Sequence, residues 1–198
     1  MRRHQSEVKD LGRIARILSL TNIGRMASLG EDGYPYITPV NFVYFQERIY
    51  FHCAPGGEKL DNIRRNPKVC FEVDIPLAYL DVGFDPGRPT CQLHQFYHCV
   101  IVRGKASVVE DRSTKVNALN ALIEKHEPRT RFEPVNQATP QVKACEVVEI
   151  SPEKITAKSD LAQGKEQEVR ARIIRYFAGR GLPGDAETVE AMKACSPA

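Results

Sequence analysis

A strand, a glycine-rich corner and a helix start follow one another in Phe51-His52-Cys53-Ala54-Pro55-Gly56-Gly57-Glu58-Lys59-Leu60-Asp61-Asn62-Ile63. Backbone N–H groups at a helix start are unpaired and carry partial positive charge, so they attract anions. The two glycines let the backbone approach an anion without a side-chain clash, and Lys59 adds a full positive charge. The stretch therefore predicts a pocket for one phosphate group, which favours a mononucleotide cofactor over a dinucleotide.

The segments around this corner predict an antiparallel meander. Asp32-Gly33 lies between two apolar runs and is a hairpin-turn signal. Pro39 lies inside the second strand, where proline requires an edge or a bulge, and Gly104 predicts a bulge in a later strand. The predicted strands are 24–29, 34–44, 48–53, 68–73, 95–110, 142–150 and 154–158.

Fewer segments predict helices. Apolar residues at helical spacing predict helices at 7–20, 57–65, 112–125 and 166–179. Proline and glycine punctuate 74–94, which predicts mostly loop with a short apolar piece at 77–82, and 127–140 is also predicted as loop. The fold class is therefore mainly β with peripheral helices. Six or seven antiparallel strands favour a closed small barrel, because closure removes exposed sheet edges.

The length, composition and charge of the chain limit the classes of protein to which it can belong. The chain has 198 residues, of which 42% are hydrophobic and 27% charged, with a net charge of +3. The length suits a barrel domain over 1–150 and a C-terminal strand and helical extension over 151–198 that packs on the same domain. The weak charge argues against a large nucleic-acid surface. Neither a signal peptide nor a membrane span is predicted, and we expect a cytoplasmic protein whose six cysteines, without a CxxC pair, are reduced.

Several linked segments carry a family resemblance. They are 24–36, 39–44, 49–54 and 57–63, followed by 97–106 and 109–111. Together they resemble the pyridoxamine 5'-phosphate oxidase-like FMN-binding split barrels, in the nitroimidazole-resistance-type branch. The resemblance implies a six-stranded antiparallel split β-barrel that forms a homodimer, with FMN bound at the interface. The residues that bind pyridoxamine phosphate in the true oxidases have no counterparts here, which argues against that activity.

The same resemblance implies the cofactor-binding residues. The flavin would be lined by Arg25, Met26 and Ala27, with Pro39, Val40 and Asn41 beside the ring. The phosphate end would be held by His52, Cys53, Gly57 and Lys59, and Phe51 and Asn62 belong to the same motifs. The partner protomer would supply Tyr97, Cys99 and Arg103. The segment 158–165 is similar to a C-terminal motif of related FMN-binding proteins and is expected to fold over the flavin.

Individual residues leave alternatives open. Arg25 could pair with the flavin or extend to water from a strand edge. We interpret Cys53 as packing rather than as a nucleophile. We interpret His52 as a phosphate contact in preference to a possible proton donor, and the alternative is a hydrogen-bonded core histidine. A zinc site at Cys91, His94, His98 and Cys99 is disfavoured: two histidines four residues apart on a strand are separated by about 13 Å, whereas ligands of one zinc lie within about 4–5 Å.

These observations predict a function class. We expect an FMN-dependent oxidoreductase that reduces a small electrophile such as a nitroaromatic. The flavin carries the electrons, so no protein nucleophile is required. The reductant would be NAD(P)H or a protein donor. The alternatives are a non-catalytic flavin- or haem-binding module and, less favoured, a flavin-linked transcriptional regulator.

Overall fold

The computed structural model describes residues 4–87, 89–90, 93–127 and 131–195. Its strands are β1 (Glu7–Val8), β2 (Ile23–Leu29), β3 (Pro35–Asn41), β4 (Val43–Phe45), β5 (Arg48–Cys53), β6 (Lys68–Leu80), β7 (His94–Val108) and β8 (Glu146–Asp160). Its α-helices are α1 (Leu11–Ser19), α2 (Glu58–Arg65), α3 (Arg112–His126), α4 (Pro140–Ala144), α5 (Gln167–Arg180) and α6 (Asp185–Lys193). None of these helices is long and apolar enough to cross a membrane.

The chain divides into two compact units. We call residues 11–73 and 100–155 the barrel unit, and residues 1–10, 74–99 and 156–198 the helical unit. Each unit is assembled from segments that are distant in the sequence, because β6, β7 and β8 each contribute to both. The division into 1–150 and 151–198 remains a prediction.

In the barrel unit the strands are neighbours in the order β3-β2-β6-β7-β8-β5-β4. The chain passes from β3 to β4 through Phe42 alone, so residues 35–45 form one bent strand. This strand pairs with β2 before the bend and with β5 after it. Counted in this way the unit has six strands, and the mainly β, antiparallel fold class is confirmed. The hydrogen-bonded path is open, however, because its end strands β3 and β4 do not pair with each other. They are connected only through the chain at Phe42, so the closed barrel that the sequence predicts is not formed by hydrogen bonds.

Packing in the barrel core explains why residue 24 of β2 is a glycine. Met26, Phe42, Ile49, Phe51 and Phe71 are fully buried. The rings of Phe42 and Phe71 meet edge to face with their centroids 4.9 Å apart. A Cβ at Gly24 would lie 2.0 Å from the Phe71 ring, so the large aromatic core requires glycine at this position of β2.

A second cluster packs α3 on the outside of the barrel sheet. It consists of Val43, Tyr50, Ala118, Leu122 and Val147, all buried. The side chains of Tyr50 and Val147 lie on the opposite face of the sheet from those of the neighbouring buried residues, which point into the barrel interior, as the two-residue period of a strand requires. The helix therefore covers one outer face of β5 and β8.

The helical unit has its own core, built from α5, α6 and the ends of the long strands. Its buried members are Ala78, Leu80, Phe96, Leu161, Ile173, Phe177, Val189, Met192 and Cys195. The N–H of Ala78 donates to the hydroxyl of Thr188 in α6 at 2.7 Å. This contact helps to hold residues 74–80 in β6, where the proline-containing sequence predicts loop.

The predicted elements differ from the structure in both units. The first helix begins at Leu11 instead of residue 7, because Glu7 and Val8 pair with Lys158 and Ala157 of β8. The two strands predicted at 142–150 and 154–158 are one continuous strand that begins only at Glu146, because residues 140–144 form α4. Two helices were not predicted: α4, which begins in the segment predicted as loop, and α6.

Candidate functional site

The glycine corner between β5 and α2 is open. Gly57 is the N-cap residue of α2, and its φ of 114° is a backbone conformation that favours glycine. A Cβ built at Gly56 or Gly57 meets no atom within 4 Å. The corner therefore leaves space for a group outside the backbone, as the sequence predicts for a phosphate.

Lys59 and Cys53 come together on one side of this corner. Lys59 Nζ lies 5.2 Å from the centroid of the buried Phe51 ring, and Phe51 and Cys53 share a strand face. Burial raises the pKa of the Cys53 thiol, while the positive charges of Lys59 and Arg64 act against the rise. The raised pKa keeps this thiol protonated at neutral pH, which favours the predicted packing role over nucleophilic chemistry.

His52 points away from that group. It is opposite Val147 in the β5–β8 ladder, and Val147 belongs to the cluster under α3. His52 also lies within electrostatic range of His126, whose pKa is lowered first by burial and then by Lys125. Because successive side chains of a strand face opposite sides, His52 and Cys53 do not line the same pocket with their side chains. The cofactor role of His52 remains a prediction.

Lys125 at the end of α3 provides a pH-dependent test of this region. Its Nζ lies 3.5 Å from the centroid of the Phe42 ring and donates to the Leu18 carbonyl at 3.2 Å. Burial lowers the pKa of Lys125 to about 8, against about 10.4 in an unfolded chain. Between these values the unfolded chain binds more protons at this site, so the cost of burying the charged amine falls and the stability of the fold increases as pH rises.

We therefore expect Lys125→Met to reduce the increase in unfolding free energy between about pH 8 and pH 10. Urea unfolding of both proteins across this range measures the slope. Lys154→Met is the control, because Lys154 is exposed on β8 and its loss should leave the slope unchanged. Parallel slopes for Lys125→Met and the unaltered protein would contradict the assignment.

The outer face of the β2–β3 hairpin carries four of the predicted cofactor residues. Arg25 is directly opposite Pro39 in the ladder, and Ala27 and Asn41 share their face. The intervening side chains of Met26 and Val40 are buried in the core, so any contact they make with a ligand would use the backbone. Arg25 pairs with Glu72 of β6 at 3.5 Å, which gives it a protein partner that the sequence did not predict.

Two further predicted residues have defined surroundings in the barrel unit. Arg103 lines a pocket of about 430 Å³ together with Ala27 of the same chain. Asn62 is 1% exposed and its side-chain amide donates to Ser28, while its oxygen accepts from Arg65 at 2.6 Å. Asn62 thus attaches α2 to β2, and a contact with a cofactor remains a prediction.

Tyr97 and Cys99 lie half-buried on β7 in the helical unit. Their expected contribution from a partner protomer is untested. In the same unit, His98 Nδ1 is 2.8 Å from the Ser159 hydroxyl, and His94 pairs with Asp160 at 3.3 Å. Cys91, the fourth member of the disfavoured zinc set, lies outside the described residues.

In the segment 158–165, residues 158–160 end β8 and residues 161–165 form a tight turn in the helical unit. Ala162 has φ of 59°, which is uncommon for a residue other than glycine. The Gln163 side chain accepts from the Leu161 N–H at 2.9 Å and also donates to the Ser159 carbonyl. These bonds explain the turn by local hydrogen bonding, and its role over a flavin remains a prediction.

Sequence reasoning missed a cavity of about 840 Å³ in the barrel unit. Its walls include Arg64, Arg112, Lys115 and Lys143, which come from three different helices. The first turn of α3 contains Arg112 and Lys115 but no acidic residue. Cations are disfavoured at a helix start, so this departure was the sequence signal that could have drawn attention to the cavity.

Comparison with known proteins places the chain in a family. The profile of the family described as Pyridoxamine 5'-phosphate oxidase matches residues 10–159. The chain therefore belongs to the pyridoxamine 5'-phosphate oxidase family. A search of curated proteins finds no match.

Solved structures support the same fold. A proposed 5-nitroimidazole antibiotic resistance protein from Bacteroides thetaiotaomicron is 23% identical, with a TM-score of 0.64 over 77% of this chain and 85% of its own. Flavocytochrome Anf3 from Azotobacter vinelandii is 20% identical, with a TM-score of 0.66 over 86% and 77%. The FAD and heme binding protein from Mycobacterium smegmatis is 14% identical, with a TM-score of 0.65 over 90% and 82%. At these identities the likeness concerns the fold.

Proposed function

We propose that this protein binds FMN and acts as a flavin-dependent oxidoreductase on a small electrophile of the nitroaromatic type. The observation that carries the proposal is the open glycine corner with Lys59 beside it. Gly57 provides a backbone that can approach a phosphate, and Lys59 provides a positive charge. The family and the relatives of similar fold that bind flavin support the proposal of a flavin-dependent function.

The protein residues would bind and orient the cofactor. When bound, FMN supplies the electron-transfer chemistry. Lys59 would neutralise the terminal phosphate, and Arg25, held by Glu72, would present its guanidinium at the exposed β2–β3 face. The protonated Cys53 thiol would contribute packing near the phosphate end. The reductant in this proposal is NAD(P)H or a protein donor.

Dimerisation is part of the proposal. The β2–β3 hairpin exposes large apolar side chains: Ile23 is 49% exposed, Leu29 44% and Ile37 61%. These residues share one face with Arg25 and Ala27, so a second copy of the chain would bury apolar surface at the predicted flavin site. A reducing, cytoplasmic location is also proposed, because none of the five cysteines that the structure describes, Cys53, Cys70, Cys99, Cys145 and Cys195, forms a disulfide.

Lys59→Ala tests the phosphate site. We expect FMN affinity to fall by about 10- to 100-fold, since one charge-assisted contact is lost. Flavin fluorescence quenching during titration of the flavin-free protein measures the dissociation constant. Lys154→Ala is the matched control on an exposed strand position of the same unit. Unchanged affinity in Lys59→Ala would remove this residue from the phosphate site.

The purified protein also distinguishes the alternatives. A flavin spectrum that bleaches under anaerobic NADH or NADPH and recovers with a nitroimidazole supports the enzyme. A flavin that is never reduced supports a non-catalytic flavin module, and a sharp Soret band supports haem binding. A colourless protein that does not bind added FMN would contradict the proposal.

A further inference from the structure

The side chains that line the 840 Å³ cavity of the barrel unit carry a net positive charge, as is typical of a site that binds anions. Four cationic side chains line it, namely Arg64, Arg112, Lys115 and Lys143, against two carboxylates, Glu110 and Glu146. The lining therefore carries a net charge of +2. Like charges gathered in one concave site repel each other, so a bound anion would stabilise this arrangement.

The cations differ in what they already contact. The Lys115 side chain is 12% exposed, and its Nζ donates to the Cys145 carbonyl at 2.5 Å and lies 3.6 Å from Glu146. Arg112 is exposed and donates through one nitrogen to the Gln137 carbonyl, which leaves further guanidinium donors available. Lys115 therefore forms part of the wall, whereas Arg112 and the exposed Lys143 can reach a ligand.

Apart from Ser107, the rest of the lining is apolar. Ile63 lies in α2 and Pro67 just after it, while Val109 follows β7 and Val142 lies in α4. Ligand sites typically combine such apolar walls with a few polar groups, within a volume of about 300–1,000 Å³. A ligand that matches both features has a flat, weakly polar ring and at least two negative charges.

We propose that this cavity binds a nucleoside diphosphate group. The diphosphate would contact Arg112, Arg64 and Lys143, because guanidinium groups recognise phosphate oxygens in pairs and lysine adds a point charge. The base would pack against Pro67, which is exposed, and Val109, which is half-buried. None of the residues that line this cavity belongs to the Lys59 corner, although Cys53 is within electrostatic range of Lys59, Arg64 and Glu146.

Two sources could supply this group: a free nucleoside diphosphate, or the adenosine diphosphate half of a nicotinamide dinucleotide. The second source rests on the proposed function, because it would make the cavity the docking site of the electron donor. Both sources share the diphosphate chemistry that the cavity recognises.

The test is a fluorescence titration of the full-length protein with a methylanthraniloyl derivative of ADP. We expect saturable binding that weakens as salt is raised, because exposed charges are screened. Arg112→Gln with Lys143→Gln should weaken binding by about 100-fold, on the order of 10-fold for each lost charge-assisted contact. Lys143→Gln alone should show about a 10-fold loss, which keeps the test valid if the double variant is unstable.

Controls separate this inference from the flavin proposal. Lys154→Gln should bind the ADP derivative normally, and Lys59→Ala should bind FMN more weakly but bind the ADP derivative normally. Competition between ADP and NADPH during flavin reduction would identify the dinucleotide as the source, and ADP binding without competition would identify the free nucleotide. Absence of saturable binding by the unaltered protein, or unchanged binding by both charge variants, would overturn the inference.

Discussion

Gly104→Ala is expected to lower the free energy of unfolding by about 3 kcal/mol, since forcing extra atoms into a packed interior has costs of this size. A Cβ at Gly104 would lie 2.2 Å from the carbonyl oxygen of Ser151, which belongs to the backbone of β8. Backbone atoms cannot rotate away as a side chain can. The new methyl group must therefore push β7 and β8 apart in the barrel unit.

Thermal and urea unfolding of Gly104→Ala measure the effect. For a protein of this size the expected loss corresponds to about 6–12 °C in the thermal midpoint. Gly179→Ala is the matched control, because Gly179 lies in α5 and a Cβ there meets nothing within 4 Å. Alanine is the better helix former, so this control should gain about 0.5–1 kcal/mol. A Gly104→Ala protein as stable as the unaltered one would show that the two strands can separate without cost.

Arg180→Ala is expected to destabilise the helical unit by about 3 kcal/mol, because removing one partner of a buried ion pair leaves the other charge uncompensated. Arg180 Nε donates to Asp185 at 3.0 Å, and Asp185 is 2% exposed. The same guanidinium donates to Asp81 and to the Tyr79 carbonyl. It therefore connects α5 to β6, to the start of α6 and to the segment after β6.

Acid unfolding gives a second measure of the Arg180 network. The hydrogen bond from Arg180 holds the pKa of Asp185 below its ordinary value. A carboxyl with a lowered pKa in the folded state contributes stability above its unfolded pKa of about 3.9, and this stability is lost as pH falls through the folded value. Arg180→Ala should therefore show a shallower loss of stability between about pH 5 and pH 3 than the unaltered protein.

Matched variants identify the cause of the Arg180 effect. Arg175→Ala changes an exposed arginine of the same helix and should alter the unfolding free energy by less than about 0.5 kcal/mol. Adding Asp185→Asn to Arg180→Ala should restore part of the loss, because the uncompensated charge is then removed. No recovery in the double variant would indicate that packing against Tyr176 and Phe177 is the main role of Arg180.

Local sequence signals predicted the barrel unit better than the helical unit. Strand β5 has the predicted bounds 48–53, and α2 begins one residue after the predicted start. Here the strand, the glycine corner and the Asn66-Pro67 stop all agree. In the helical unit, residues 74–80 form a strand in spite of Pro76, and Thr188 of a helix 110 residues further along the chain bonds to Ala78. No local pattern contains that contact.

The candidate site shows the same division. The sequence identified Gly57 and Lys59 at an open corner, because the backbone freedom of glycine and the charge of lysine do not depend on the tertiary structure. It did not reveal which of His52 and Cys53 faces the barrel interior, or that Arg25 pairs with Glu72. The alternation of neighbouring side chains follows from the strand itself, but which face is inside and which residues are paired depend on register, and shifting a strand by one residue exchanges its two faces.

The amino-acid order by itself determined the mainly β class, the β5–α2 corner and the residue types available there, because turns, periodicity and helix starts are local properties of the chain. Only the tertiary structure decided which side chains share a face, the bend at Phe42 that joins the two ends of the sheet, and the cationic cavity beside α3. These features arise from contacts between residues far apart in the sequence, where packing and register outweigh local preference.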